Sequence, residues 1–78
     1  IEAVAHGDKH ESEVVGRKIE DLDLPRGTSI VTIVRGDEVI MAHHDTVIET
    51  DDHVILFMTD RRKIDKIENL FQVGVSFV

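Results

Sequence analysis

Two short apolar runs constrain the fold of this chain more than any other feature. Residues 30–34 contain four β-branched apolar residues interrupted only by Thr32, and residues 54–58 contain no polar residue. β-branched residues favour strands, and successive residues of a strand point to opposite faces. Both faces of the predicted sheet are therefore apolar at its centre, and both need to be covered.

The chain is too short to cover both faces by itself. With 78 residues, 41% of them hydrophobic, it forms one small domain with a marginal core. Its two predicted short helices are enough for about one face of a four-stranded sheet. We therefore predict a homodimer formed through the second face. The alternative is that the first strand and the apolar tail fold over that face.

The other elements follow from hydrophobic periodicity and turn residues. We predict an α+β domain with a mainly antiparallel sheet of four to five short strands and two short helices. Ser12 is placed to cap a helix ending at Leu22, and Asp60 to cap a helix with Ile64, Ile67, Leu70 and Phe71 on one face. The predicted strands and strand-like segments are 1–6, 29–35, 39–41, 46–48 and 54–58, with a hairpin turn at Gly36-Asp37.

Composition excludes several classes of function. The chain has no cysteine, so it has no disulfide and no cysteine nucleophile, which favours a reducing, cytoplasmic setting. Its net charge of −7 has the wrong sign for sequence-independent binding of nucleic acid. No apolar run approaches the roughly 20 residues of a membrane-spanning helix. Because the sequence begins at Ile1, we expect a piece of a longer protein.

The order of several motifs resembles the TrkA carboxyl-terminal domain family, also called the RCK carboxyl-terminal domain. The resemblance covers residues 1–71 and leaves 72–78 as an apolar carboxyl-terminal tail. One departure is Asp51, which stands where the family has a glycine. The motifs are Val15 to Leu22, Leu24-Pro25, the strand Ile30 to Arg35 followed by Gly36, Thr46 to Ile48, and Asp51 to Leu56.

The resemblance implies a regulatory domain of a cytoplasmic potassium-uptake subunit, peripheral at the inner face of the membrane. It also implies two partners, a membrane potassium transporter and a neighbouring Rossmann domain that binds NAD or another nucleotide. No NAD is expected on this chain itself, because its glycines are too far apart for a G-x-G-x-x-G motif. The alternative function is a pure dimerisation module without a ligand of its own.

Arg35 is the first candidate binding residue, because it ends an apolar strand directly before the hairpin. A guanidinium there suits bidentate binding of a phosphate. The alternative is an ion pair with Asp37 or Glu38. In some relatives an arginine at this place helps to hold a cyclic dinucleotide, so the resemblance implies an anionic or nucleotide ligand at Val34, Arg35 and Met41. The predicted dimer interface contains Ile33, Val34 and Ile40.

The five histidines and the serines point to no catalytic or metal chemistry. His43 and His44 are adjacent, and adjacent residues of a strand point to opposite faces, so the two rings do not share a ligand position. Solvated loop histidines are the better interpretation, and a pH-sensing role for them stays open. Ser12, Ser29 and Ser76 lack the context of an activated nucleophile. We expect no enzyme, and a small metal-binding domain is the least favoured alternative.

Overall fold

The computed structural model describes residues 1–77 as a four-stranded antiparallel sheet with one α-helix packed against it. The spatial order of the strands is β1-β4-β2-β3. This architecture confirms the predicted fold class. The elements are β1 (Glu2–Val4), a 3-10 helix (Ile19–Asp21), β2 (Thr28–Arg35), β3 (Glu38–Met41), β4 (His53–Met58), a second 3-10 helix (Arg61–Lys63) and α1 (Ile64–Phe71).

The centre of the sheet is the pair β2 and β4, the two apolar runs of the sequence. Ile33 lies opposite Val54 on β4 and opposite Ile40 on β3, so its side chain sits in the middle of the sheet. The β2–β4 register shifts between Ile30 and Thr32, which marks a β-bulge. The predicted hairpin between β2 and β3 turns at Gly36, whose φ of 58° is in the left-handed region that glycine adopts without strain.

Helix α1 covers one face of this sheet. Asp60 accepts a hydrogen bond from the backbone N–H of Arg62 at 3.0 Å, as expected of a capping residue. Ile67 and Phe71 are fully buried against the core, and the helix ends at Gln72, which has a φ of 60°. The core residues are Ala3, Ala5, Val14, Val15, Ile33, Ile48, Val54, Leu56, Ile67 and Phe71.

The predicted helix between Ser12 and Leu22 is wrong. Ser12 does cap a turn, since its hydroxyl accepts from the N–H groups of Val14 and Val15 at 3.0 Å each. At Gly16, with a φ of 82°, the chain leaves any helical path. The segment then bonds to residues 44–48, for example from Gly16 N–H to the Ile48 carbonyl at 2.7 Å. Tertiary pairing therefore replaces the helix, and only the 3-10 turn Ile19–Asp21 remains.

The predicted strand 46–48 is not one of the four strands of the sheet, and the apolar tail pairs with the edge strand β1. Val47 makes an isolated bridge with Lys18, and Ser76 makes one with Glu2 on β1. The tail thus extends the β1 edge of the sheet instead of lying across a face. Val78, the last residue of the predicted tail, lies outside the described residues. Within residues 1–77, no helix is long and apolar enough to cross a membrane.

Candidate functional site

The face of the sheet opposite α1 has no covering element in the described part of the chain. None of the apolar side chains on this face belongs to the core cluster or packs against it. Val39, Met41 and Phe57 are 66%, 64% and 62% exposed. We call this surface the open face, and its outward side chains are Glu2, Val4, Ser29, Thr32, Val34, Val39, Met41, His53, Ile55 and Phe57.

Strand register decides which predicted site residues lie on the open face. Val34 pairs with Val39 and Met41 pairs with Thr32, so all four side chains lie on it. Ile33 and Ile40 pair with each other on the covered face, where Ile33 is fully buried and Ile40 packs against the core. We therefore assign Ile33 and Ile40 to the core of the domain and remove them from the predicted interface. Their apolar character reflects packing against the covered side of the sheet.

Arg35 ends β2 on the covered side and is held by a cluster of oxygen atoms. Its Nε donates to Asp52 Oδ1 and its Nη2 to Asp52 Oδ2, both at 2.9 Å. Nη2 also donates to the Val47 carbonyl at 3.0 Å, and Nη1 lies 2.9 Å from Glu49 Oε2. Asp52, Glu49 and Val47 thus occupy the guanidinium from three directions. Neither predicted partner, Asp37 or Glu38, forms this ion pair.

Because Asp52 is buried, this cluster contributes to the stability of the fold as well as forming a candidate site. The Asp52 side chain is completely buried, whereas that of Arg35 is 28% exposed. The hydrogen bonds that Arg35 donates to Asp52 raise the pKa of Arg35, partial burial opposes that effect, and the charges of Asp52 and Glu49 add to it. Arg35 therefore stays charged at any working pH. The pair fastens the end of β2 to the loop that precedes β4.

The loop from 47 to 52 is shaped by the residues that hold Arg35. Asp52 Oδ2 also accepts from the Glu49 N–H at 2.9 Å, so one carboxylate organises both the arginine and the turn. Asp51 has a φ of 68°, the left-handed conformation in which aspartate is tolerated and glycine is favoured. This explains why the resemblance expects a glycine at that position. The sequence pattern identified the turn but did not show that Asp52 would be buried.

The histidines are dispersed. His6 Nε2 lies 3.0 Å from the Gln72 carbonyl, at the end of α1, and His53 Nδ1 lies 3.2 Å from Glu2 Oε2 on the open face. His43 and His44 lie in the exposed loop after β3. In residues 1–77 no three histidine, aspartate or glutamate side chains are grouped so that they could hold a metal ion.

The family follows from a match to the model of the TrkA-C domain over residues 9–72. The chain belongs to the TrkA-C domain family. This confirms the resemblance stated from the motifs. The TrkA-C match begins in the loop that replaces the predicted first helix and ends at Gln72, directly after α1.

Curated relatives and a solved structure extend the comparison. The chain is 60% identical over 77 residues to the Trk system potassium uptake protein TrkA of Halomonas elongata, and 54% identical over 78 residues to that of Vibrio alginolyticus. The alignments cover 99% and 100% of this chain but only 17% of each relative, so the chain spans about one sixth of their length.

Among solved structures, this TrkA-C domain is similar to the RCK_C domain dimer of S. agalactiae BusR in complex with c-di-AMP. The TM-score is 0.72 and the sequence identity is 27%, over 92% of this chain and 93% of that one.

Proposed function

We propose that this TrkA-C domain is a dimerising regulatory module and that two copies associate through the open face. The observation that carries the proposal is the exposure of Val39, Met41 and Phe57 on one side of a sheet whose other side packs against the core. An apolar patch of this kind is unfavourable in water and is characteristic of an interface. The BusR domain to which this chain is similar is a dimer.

The setting of this module is a Trk-type potassium-uptake system. The relatives that share 60% and 54% identity are potassium uptake proteins, and this chain matches about one sixth of each. We place it as a carboxyl-terminal domain of a cytoplasmic subunit, peripheral at the inner face of the membrane. In that subunit a neighbouring Rossmann domain transmits the state of the dimer to a membrane potassium transporter.

The ligand proposed for the dimer is a small anionic nucleotide. Val34 and Met41 offer apolar contacts on the open face, whereas the Arg35 guanidinium lies on the covered side, at the end of the same strand as Val34. A ligand that contacts all three residues therefore reaches around this end of β2. Because Asp52 already occupies Nε and Nη2, the exchangeable contact is the ion pair between Nη1 and Glu49, whose side chain is 60% exposed. A ligand phosphate takes the place of the Glu49 carboxylate.

Such a ligand regulates by changing how the two copies sit against each other. A nucleotide with two-fold symmetry, such as the c-di-AMP in the BusR complex, fits a two-fold interface by contacting the same residues in both copies. It favours whichever arrangement of the dimer binds it better, and the attached domains follow that arrangement.

A second candidate function is an assembly module without a ligand. The observation in its favour is that each of the three guanidinium nitrogen atoms of Arg35 already contacts Asp52, Val47 or Glu49. In this case the guanidinium only ties the loop to the sheet. Dimerisation through the open face is common to both candidates, so it is tested first.

The interface is tested by placing a charge on it. The Val39→Glu substitution buries a carboxylate in the proposed interface without touching the core, so we expect the dimer dissociation constant to rise roughly tenfold or more in sedimentation equilibrium. Val47→Glu is the matched control, because Val47 is also exposed but lies outside the sheet. Equal association of the two variants, or a wild-type monomer, contradicts the proposal.

The ligand is tested by removing its proposed competitor. If a phosphate replaces Glu49 at Arg35, Glu49→Gln lowers the competing charge, and we expect c-di-AMP to bind several-fold more tightly than to the wild type in isothermal titration calorimetry. Asp45→Asn removes a loop charge that makes no contact with Arg35 and serves as the control. No heat with c-di-AMP or with a panel of other nucleotides favours the assembly module.

A further inference from the structure

The open face carries only two titratable side chains within residues 1–77, and they are in contact with each other. Glu2 on β1 and His53 on β4 point outward from neighbouring strands, and His53 Nδ1 lies 3.2 Å from Glu2 Oε2. The other outward side chains of the four strands are apolar or neutral. An otherwise uncharged surface with a single potential ion pair is sensitive to the charge state of that pair.

The strand residues directly opposite this pair carry no charge. On β2 the residue opposite His53 is Val34, and on β1 it is Val4. The tail reaches Glu2 only through the backbone bonds of Ser76. Asp52 precedes His53 on the chain, but its carboxylate is buried on the covered side and held by Arg35. The charge of His53 is therefore balanced by Glu2 alone.

Burial of Glu2 and His53 on association makes the stability of the dimer depend on whether His53 is protonated. The Glu2 side chain is already only 24% exposed, and the His53 side chain is 49% exposed. When a second copy covers the open face, both lose water. A carboxylate without a counter-charge is costly to desolvate, whereas a carboxylate paired with imidazolium is compensated by the ion pair. A charged His53 therefore lowers the cost of covering the Glu2 carboxylate.

We propose that the Glu2–His53 pair couples dimerisation of this domain to pH, so that the dimer is tighter when His53 is protonated. This inference rests on the proposed dimer through the open face. Histidine is the side chain whose charge ordinarily changes between about pH 5 and pH 8, so the coupling is to be looked for in that interval. The sign follows from linkage, because proton uptake on association strengthens the dimer as pH falls.

The test is the dimer dissociation constant between pH 5.5 and pH 8.0, measured by sedimentation equilibrium at constant ionic strength. We expect the wild-type dimer to be about tenfold tighter at pH 5.5 than at pH 8.0. His53→Gln keeps a polar side chain of similar size but does not titrate, so its dissociation constant should be nearly flat across this range. Glu2→Gln should also lose the dependence.

The matched control is His43→Gln, which removes a titrating ring from the exposed loop after β3 and should retain the wild-type pH dependence. A wild-type dimer with the same dissociation constant at every pH overturns the coupling but leaves the proposed function intact. A dissociation constant that still depends on pH in His53→Gln also overturns the coupling. A chain that stays monomeric across the whole range contradicts the proposed dimer itself.

Discussion

Two arginine–aspartate pairs within residues 1–77 have nearly the same geometry and very different surroundings. Arg35 contacts Asp52 through Nε and Nη2 at 2.9 Å each, and Arg62 contacts Asp60 through the same atoms at 3.0 and 3.1 Å. Asp52 is completely buried and 17 residues from its partner, whereas Arg62 is 90% exposed and two residues from its own. Two bidentate ion pairs of equal geometry therefore differ in how much they stabilise the fold.

The difference shows that geometry alone does not rank ion pairs. The Arg62–Asp60 pair lies at the start of the 3-10 turn before α1, where water screens both charges. The Arg35–Asp52 pair joins the end of β2 to the loop before β4, and its carboxylate is completely buried in the folded domain. The cost of breaking each pair is set by the charge that is left behind.

The largest expected effect is that of Arg35→Ala. This substitution leaves the Asp52 carboxylate buried without a cation, and we expect the free energy of unfolding to fall by about 3–5 kcal/mol in urea denaturation. The reciprocal change, Asp52→Asn, keeps an oxygen that accepts from the Glu49 N–H and leaves a guanidinium that is partly exposed and still close to Glu49, so it should cost less. A loss for Arg35→Ala no larger than that for Asp52→Asn contradicts this account of the pair.

A combined variant serves as the control for this prediction. Arg35→Leu with Asp52→Leu removes both charges, so the buried unpaired carboxylate never arises. We expect the double variant to be more stable than Arg35→Leu alone, because a pair of apolar residues replaces a buried ion pair at little cost. Strict additivity of the two single losses would show that the residues act independently.

The smallest expected effect is that of Arg62→Ala. The side chain is exposed, and its loss leaves Asp60 free to keep its capping bond from the Arg62 backbone N–H. We expect a change in the urea midpoint that is far smaller than for either residue of the buried pair. A loss comparable to that of Arg35→Ala would erase the contrast between the two pairs.

The exposed pair also has a predictable pH dependence. The side-chain and backbone hydrogen bonds from Arg62 lower the pKa of Asp60 below its ordinary value of 3.8. A carboxyl group with a lowered folded-state pKa stabilises the fold above its unfolded-state pKa and loses that contribution as pH falls through the folded-state value. Arg62→Ala should therefore approach wild-type stability in acid unfolding experiments as the pH drops below about 4.

The same contrast explains how much could be predicted from the sequence. The cap at Asp60 is local, so the residue and its helix are visible in a short window of sequence. The contact between Asp52 and Arg35 spans the β2–β3 hairpin, and no local pattern indicates that one acid of an Asp-Asp turn is buried. The predicted helix at 12–22 fails for the same reason, since bonds from Gly16 to Ile48 outweigh an apolar periodicity.

The prediction of an uncovered face follows from a different kind of information. The apolar runs on β2 and β4 are two-faced in the sequence itself, and the chain contains too little material to cover both sides. Sequence alone did not assign residues to the correct face, because the register that places Val34 outward and Ile33 inward is set by pairing with β3 and β4. A shift by one residue would reverse every assignment.

The bridge between Ser76 and Glu2 limits how these domains can polymerise. Glu2 donates its N–H to Ser76 and accepts the Ser76 N–H with its carbonyl, at 2.7 and 2.8 Å, so its backbone groups at the β1 edge are already used. Growth of a continuous β-ribbon from copy to copy needs a receptive strand at both borders of each sheet. Because the chain itself occupies part of this border, a second copy finds fewer free backbone groups there, although the open face remains apolar and exposed.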